Sequence, residues 1–129
     1  MKEKLDILRK DRFLELSSWG GLSDMPGTTG LIITNDKKIY HYQKYHHVPS
    51  YLKDKVKLED ISNGTPIGDE VYNKLSNYIN KNIIGKNFDI IGIFDAGCDV
   101  IGDGFNISNH FEVCNDLMKI IGGKLWEKS

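Results

Sequence analysis

The spacing of apolar residues along the chain predicts three amphipathic helices. In the first, over residues 2–16, leucines and one phenylalanine recur at roughly helical intervals with charges of both signs between them. The second covers residues 69–85, where one face is apolar, the other carries asparagine and lysine, and a glycine stands at the position of a C-terminal cap. The third follows a capping Ser108 or Asn109 and ends at a pair of glycines.

Between the helices, runs of β-branched and aromatic residues predict strands. Residues 31–34 and 39–45 flank a polar turn and indicate a β-hairpin. The first of these strands is continuously apolar, which is typical of the inside of a sheet, whereas the second mixes polar and aromatic residues and suits a strand with one solvated face. Residues 88–94 have the composition of a buried strand, and residues 56–61 are a further candidate for a short one.

Together these elements predict an α+β fold, in which three helices pack on one face of a small, mainly antiparallel sheet. The length of 129 residues fits a single globular domain covering residues 1–129, and the composition, 40% hydrophobic and 27% charged, is that of an ordinary folded protein. The first residues alternate in charge, and no stretch approaches the roughly 18 apolar residues of a membrane span. We therefore expect a cytoplasmic protein with no membrane partner.

Charge is distributed unevenly, although the formal net charge is only −1. Residues 36–57 contain six lysines and two aspartates, whereas residues 58–116 contain ten acidic residues and three lysines. Between Asn87 and Met118 there is no lysine or arginine. The acidic residues of that stretch are Asp89, Asp95, Asp99, Asp103, Glu112 and Asp116. Such a stretch needs counter-charges, which a basic partner, a bound cation or solvent with salt can supply.

Three of these aspartates, Asp95, Asp99 and Asp103, recur every four residues in a glycine-rich segment that we expect to form a loop. Carboxylates on such a loop can bind a hard cation, but the segment lacks the alternating ligands and the terminal glutamate of a helix-loop-helix calcium site. Asp95, at the end of the predicted strand 88–94, is also a candidate general acid or base, with His110 as a candidate partner. A solvated loop is the commoner outcome, and we expect neither a metal nor another cofactor.

Tyrosines, histidines and lysines in and after the second hairpin strand are a candidate nucleic-acid surface. Tyr40, Tyr42 and Tyr45 could stack on bases while lysines contact phosphates. We favour a strand with tyrosines at its margin, because the acidic half of the chain opposes nucleic acid. Adjacent His46 and His47 point to opposite sides of an extended chain, so they do not suit one metal ion.

The two cysteines, Cys98 and Cys114, belong to no Cys-x-x-Cys pair or zinc-ligand spacing. Cys114 falls within the apolar pattern of the third helix, which indicates a small buried thiol. Cys98 is expected in the open glycine-rich loop, where the surrounding aspartates disfavour its thiolate and argue against a nucleophile. A disulfide between the two is compatible with the sequence but not implied by it.

These observations favour a small cytoplasmic interaction protein that binds and neutralises a basic protein partner. The predicted partner-binding residues are Asp95, Asp99, Asp103, Glu112 and Asp116. Immunity proteins and antitoxins that bind bacterial nuclease toxins are similar in type, being small, acidic on one face and without catalytic motifs. The alternative is a small hydrolase or metal-binding enzyme that uses the acidic loop at Asp95. An enzyme is the less favoured class because no catalytic constellation is evident, and nucleic-acid binding is not expected.

Overall fold

The computed structural model describes residues 4–20, 27–45, 49–52, 54, 59–86, 96–108 and 111–122. Within these residues it contains three α-helices packed on a seven-stranded antiparallel sheet, so the predicted α+β class is confirmed. The helices are α1 (Lys4–Lys10), α2 (Asp69–Asn82) and α3 (Phe111–Ile121), and a short 3-10 helix covers Ser50–Leu52. The strands are β1 (Arg12–Gly20), β2 (Gly27–Thr34), β3 (Lys38–Tyr45), β4 (Glu59–Ile61), β5 (Thr65–Pro66), β6 (Ala96–Gly102) and β7 (Phe105–Ser108).

The strand order of the sheet is β4-β3-β2-β1-β6-β7, with β5 also paired to β3. All of these pairings are antiparallel. Strand β1 therefore lies between β2, which follows it in the sequence, and β6, which comes from the C-terminal part of the chain. This arrangement brings the N-terminal segment into the middle of the sheet, where both of its neighbours are hydrogen-bonded to it.

The predicted N-terminal helix over residues 2–16 is correct only for its first part. Helix α1 ends at Lys10, and the chain turns at Asp11, whose backbone N–H donates to the carbonyl of Leu8 at 3.1 Å. From Arg12 onward the residues form β1. Leu14 and Leu16 are both fully buried in the main core, as expected when alternate residues of a strand face the same side. In this segment the alternation of buried and polar residues, typical of a strand, fits the sequence better than the approximate helical spacing of its apolar residues.

The predicted β-hairpin is confirmed as β2 and β3, with Ile33 opposite Ile39. Its turn contains Lys37 at a positive φ of 66°. Residues 30–34 of β2 are all buried, which matches the interior position that their apolar character indicated. Strand β4 falls within the candidate segment 56–61, whereas the predicted strand 88–94 lies outside the described residues.

Helices α2 and α3 cover one face of the sheet and form the main core with it. Helix α2 contributes Leu75 and Ile79, followed by Ile83 at its C-terminal cap, and Gly85 beyond it adopts φ 77°. This is the apolar face and the glycine that the sequence predicts. The buried residues of the main core are Leu14, Leu16, Leu31, Ile33, Ile39, Leu75, Ile79, Ile83, Cys98, Val100, Ile107, Val113, Cys114 and Leu117.

Helix α1 lies on the opposite face of the sheet, which corrects the expectation that all helices share one face. Its Leu5 packs with Ile32 and Tyr42 in a second, smaller buried cluster, and Leu8 and Ile61 border it. Ile32 alternates with residues of the main core, so its side chain must point to the other side of the sheet. Apolar residues are therefore buried on both faces of β2.

Cys98 of β6 and Cys114 of α3 form a disulfide between the sheet and the last helix. The predicted burial of Cys114 is confirmed, because only 2% of it is exposed. The expectation for Cys98 is wrong. It lies in a strand rather than in an open loop, and it is as buried as its partner since its side chain points into the main core.

Candidate functional site

The structure describes four of the five predicted partner-binding residues, and they lie on three different parts of the fold. Asp99 lies in β6, Asp103 in the turn between β6 and β7, and Glu112 and Asp116 in α3. Asp95 lies outside the described residues. The expectation that Asp99 belongs to a loop is wrong, because β6 already begins at Ala96 and pairs with β1.

Asp99 and the two acidic residues of α3 face different sides of the sheet. The neighbours of Asp99, Cys98 and Val100, are both buried in the core beneath α2 and α3. Because successive side chains of a strand alternate, the side chain of Asp99 points to the other face, away from α3. A single partner surface therefore cannot contact Asp99 and Asp116 through one flat patch.

Asp116 of α3 is hydrogen-bonded to Tyr78 of α2, and the charge of Glu112 acts on the same hydroxyl. We call these three residues the helical acidic surface. The carboxylates are one helical turn apart, so they lie on the same side of α3. The Tyr78 hydroxyl donates a hydrogen bond of 2.9 Å to Oδ2 of Asp116. Glu112 is exposed, whereas Asp116 and Tyr78 are half-buried. The bond fixes the orientation of the Asp116 carboxylate.

The pKa of the Tyr78 hydroxyl is sensitive to the negative charge of this surface. Partial burial, the hydrogen bond to Asp116 and the charges of Asp116 and Glu112 together raise the pKa of Tyr78 to about 12. Both carboxylates thus act on the same hydroxyl. In the part of the chain that the structure describes, no lysine, arginine or histidine nitrogen lies within ion-pair distance of either carboxylate. The described residues leave this negative charge uncompensated.

A different carboxylate, that of Glu15 in β1, is the most buried acidic group in the described structure, with 1% of the residue exposed. Arg9 of α1 binds it in a bidentate manner, with Nε 3.1 Å from Oε1 and Nη2 3.0 Å from Oε2. Arg12 donates to Oε1 at 2.7 Å. The Tyr42 hydroxyl donates to Oε2 at 2.6 Å. This network attaches α1 to the sheet beside the second apolar cluster.

The Glu15 network stabilises the fold and has no catalytic role. Burial by itself would raise the pKa of Glu15, but the hydrogen bonds from Arg9, Tyr42 and Arg12 outweigh it and hold the pKa below its ordinary value. Two carboxylate oxygens offer about four acceptor positions, and the four donated bonds occupy them. An ionised carboxylate that is fully engaged in this way cannot serve as a general base or as a nucleophile.

The position of Tyr42 depends on a glycine in the neighbouring strand. A β-carbon at Gly30 would lie 2.8 Å from the Tyr42 hydroxyl and 2.4 Å from the carbonyl oxygen of Leu16. Gly30 therefore leaves the space through which the phenol reaches Glu15. Only 2% of Tyr42 is exposed, so its ring is not available for stacking on bases. One of the three tyrosines of the candidate nucleic-acid surface is thereby excluded from that role.

Sequence reasoning missed the Glu15 network because it assigned this residue to a helix. The alternation Leu14-Glu15-Leu16 is typical of a strand, in which Glu15 lies on the face opposite the two leucines. Even so, the partners Arg9 and Tyr42 could not have been chosen without the strand order. Tyr42 belongs to β3, which is separated from β1 by β2.

Comparison with models of protein families, with curated proteins and with solved structures finds no match to this chain. Function is therefore inferred from the geometry of the described residues alone. In the described segments, no three histidine, cysteine, aspartate or glutamate side chains lie close enough together to hold a metal ion. Asp95 and His110, the residues considered for acid-base chemistry, lie outside those segments. The helical acidic surface is the remaining candidate site.

Proposed function

We propose that this protein binds a basic protein partner and neutralises it through the helical acidic surface of Tyr78, Glu112 and Asp116. The observation that carries the proposal is the 2.9 Å hydrogen bond between Tyr78 and Asp116, beside a second carboxylate without a described cation. Two negative charges and an aromatic ring are held together by two packed helices. A lysine or arginine of the partner would supply the missing counter-charge.

The physical properties of this surface suit protein recognition. The Tyr78 bond holds Asp116 in one orientation before binding, which lowers the entropy lost when a cationic side chain docks. Glu112 is exposed and can steer a basic surface during approach. Tyrosine is enriched among the residues that contribute most to binding energy at interfaces. Because the net charge of the whole chain is only −1, attraction must come from this local field.

A nuclease toxin is the partner class that this chemistry favours, and the protein would act as its immunity protein or antitoxin. Nucleases bind phosphates with lysine and arginine side chains, so an acidic surface can compete with nucleic acid for the same residues. Cytoplasmic location belongs to the same proposal. In the described part of the chain, no helix is long and apolar enough to cross a membrane.

Asp99 and Asp103 have a secondary place in the proposal. Asp103 is exposed at the turn between β6 and β7, and Asp99 is half-buried on the sheet face away from α3. A partner that covers the helical acidic surface could reach Asp103 only by extending around the edge strand β7. We therefore expect these two residues to contribute less than Glu112 and Asp116.

A capture experiment tests this proposal. The purified protein is immobilised, incubated with lysate of its source organism, and washed with increasing salt before the bound proteins are identified by mass spectrometry. We expect a basic protein to bind the wild type and to be lost with Glu112→Lys/Asp116→Lys. The matched control, Glu59→Lys/Asp60→Lys, makes the same change in net charge on β4 at the far edge of the sheet.

The expected pattern is capture by the wild type and the β4 control together with loss in the α3 variant, provided that all three melt at similar temperatures. A nuclease assay on the captured protein then measures neutralisation. If the α3 variant captures the same basic protein as the wild type, the helical acidic surface is not the binding site. If Asp99→Lys/Asp103→Lys alone loses the partner, binding occurs on the sheet side instead.

A further inference from the structure

The disulfide between Cys98 and Cys114 is the only covalent link between distant described segments, and it joins elements that are otherwise held very differently. Strand β6 pairs with β1 over residues 96–102, which include Cys98, and with β7 over residues 99–102. Helix α3 has no such ladder to the sheet. In the described residues its attachment includes apolar packing by Val113 and Leu117, with Met118, Ile120 and Ile121 packed against the same core, the Tyr78–Asp116 hydrogen bond and the disulfide itself.

Reduction of this buried disulfide changes how β6 and α3 are held together. Reduction of the S–S bond removes the covalent restraint between β6 and α3. Both cysteines are buried, with 3% of Cys98 and 2% of Cys114 exposed, and packed cores contain little empty volume. Without the bond, β6 and α3 are held together only by noncovalent contacts. Helix α3 is the element that we expect to move, because β6 pairs with β1 over its whole length whereas α3 has no backbone ladder to the sheet.

We propose that Cys98 and Cys114 form a redox-sensitive switch that controls how firmly α3 is attached to the sheet. In the oxidised chain the disulfide holds α3 on β6. In the reduced chain α3 shifts or opens, while the sheet keeps its fold. The inference does not depend on the proposed partner, but it bears on it, because Glu112 and Asp116 are carried by the same helix. It also suits a cytoplasmic protein, since disulfides there are usually transient rather than permanent.

A thiol such as glutathione is the reductant that breaks the disulfide by thiol–disulfide exchange. A glutathione thiolate attacks one cysteine sulfur, the disulfide bond breaks, and the other cysteine leaves as a thiolate that takes up a proton. A second glutathione thiolate resolves the mixed disulfide, so two glutathiones are oxidised to one disulfide as the two cysteines are reduced. Because both sulfurs are buried, attack requires α3 to open first. The oxidised form should therefore be reduced slowly and reform readily with oxidised glutathione.

Hydrogen exchange on the intact wild-type chain tests the switch without any substitution. The protein is equilibrated in oxidised or in reduced glutathione, the thiol count is measured, and amide exchange is followed by mass spectrometry. On reduction we expect exchange in residues 111–121 to accelerate about tenfold or more, while β1 and β2 retain their protection. The variant Cys98→Ala/Cys114→Ala should show the fast exchange of α3 under both conditions.

Two results would overturn the switch. Equal protection of residues 111–121 in the oxidised and reduced chains would show that packing alone holds α3. Loss of protection throughout β1 and β2 on reduction would show that the disulfide supports the whole fold rather than the attachment of one helix. Neither result depends on capture of a basic partner, so failure of the switch and failure of the proposed function can be told apart.

Discussion

The hydroxyl of Tyr42 lies 2.6 Å from the carboxylate of Glu15, a residue 27 positions earlier in the chain. The two residues belong to β3 and β1, which are separated by β2, so the phenol spans an intervening strand. It does so across Gly30, where no side chain obstructs it. This contact connects the strand order to the attachment of α1, because the same carboxylate binds Arg9.

Removal of the Tyr42 hydroxyl tests the energetic importance of this contact. Tyr42→Phe leaves the ring in place but deletes one hydrogen bond to a buried charge, and we expect the free energy of unfolding to fall by about 2 kcal/mol. Tyr40→Phe, in the same strand, is the matched control and should change stability by less than about 0.5 kcal/mol. Urea denaturation measures both. Similar losses for the two variants would mean that the bond to Glu15 contributes little.

The pH dependence of stability tests the state of Glu15. Its pKa in the folded chain lies below the ordinary value of 4.5, so its contribution is present above about pH 4.5 and is lost as pH falls through the folded pKa. Glu15→Gln should destabilise the protein by about 2 kcal/mol at pH 7, because a buried charge-assisted network is broken. The difference between wild type and variant should shrink as the pH is lowered from 5 toward 2.

Glu70→Gln supplies the control for this titration, because Glu70 is exposed on α2 and pairs with Lys74 at the surface. We expect it to change stability by less than about 0.5 kcal/mol at either pH. A difference between wild type and Glu15→Gln that stays constant down to pH 2 would contradict the lowered pKa of Glu15 in the folded chain.

The ionisation of Tyr78 tests the geometry of the helical acidic surface. Asp116→Asn removes one negative charge next to the hydroxyl, so the pKa of Tyr78 should fall from about 12 toward its ordinary value of 10.0. It should remain above that value, since burial and the charge of Glu112 persist. Carbon-13 NMR of labelled tyrosine follows the titration. Asp103→Asn in the β6–β7 turn is the control, and an equal pKa in all three proteins would contradict the geometry.

Local features of the sequence predicted the local features of the fold. The hairpin of β2 and β3 and the apolar face of α2 follow from patterns within a few residues, namely a polar turn between β-formers and a 3.6-residue period ending at Gly85. The approximate helical spacing of four apolar residues predicts a helix through Arg12, whereas the chain forms β1 there. Strand β1 lies in the middle of the sheet and has hydrogen-bonding partners on both sides, in β2 and β6. This tertiary context outweighs the local preference of the segment for a helix.

The candidate site was less accessible to sequence reasoning because it depends on which elements meet. The sequence places Glu112 and Asp116 in the acidic stretch, but Tyr78, which is hydrogen-bonded to Asp116, comes from a different helix. Asp99 was grouped with them by proximity in sequence, although strand alternation places it on the other face. The glycines around Cys98 predict an open loop, and its bond to Cys114 appears only when β6 and α3 are packed together.

The most direct test of the proposed function is the affinity for the captured basic partner, measured by isothermal titration calorimetry at two salt concentrations. Glu112→Gln/Asp116→Asn keeps the shapes of both side chains and removes both charges. We predict that this variant raises Kd about 100-fold and weakens the salt dependence, while the matched neutralisation Glu59→Gln/Asp60→Asn leaves Kd unchanged. A Kd for the α3 variant equal to that of the wild type would contradict the account.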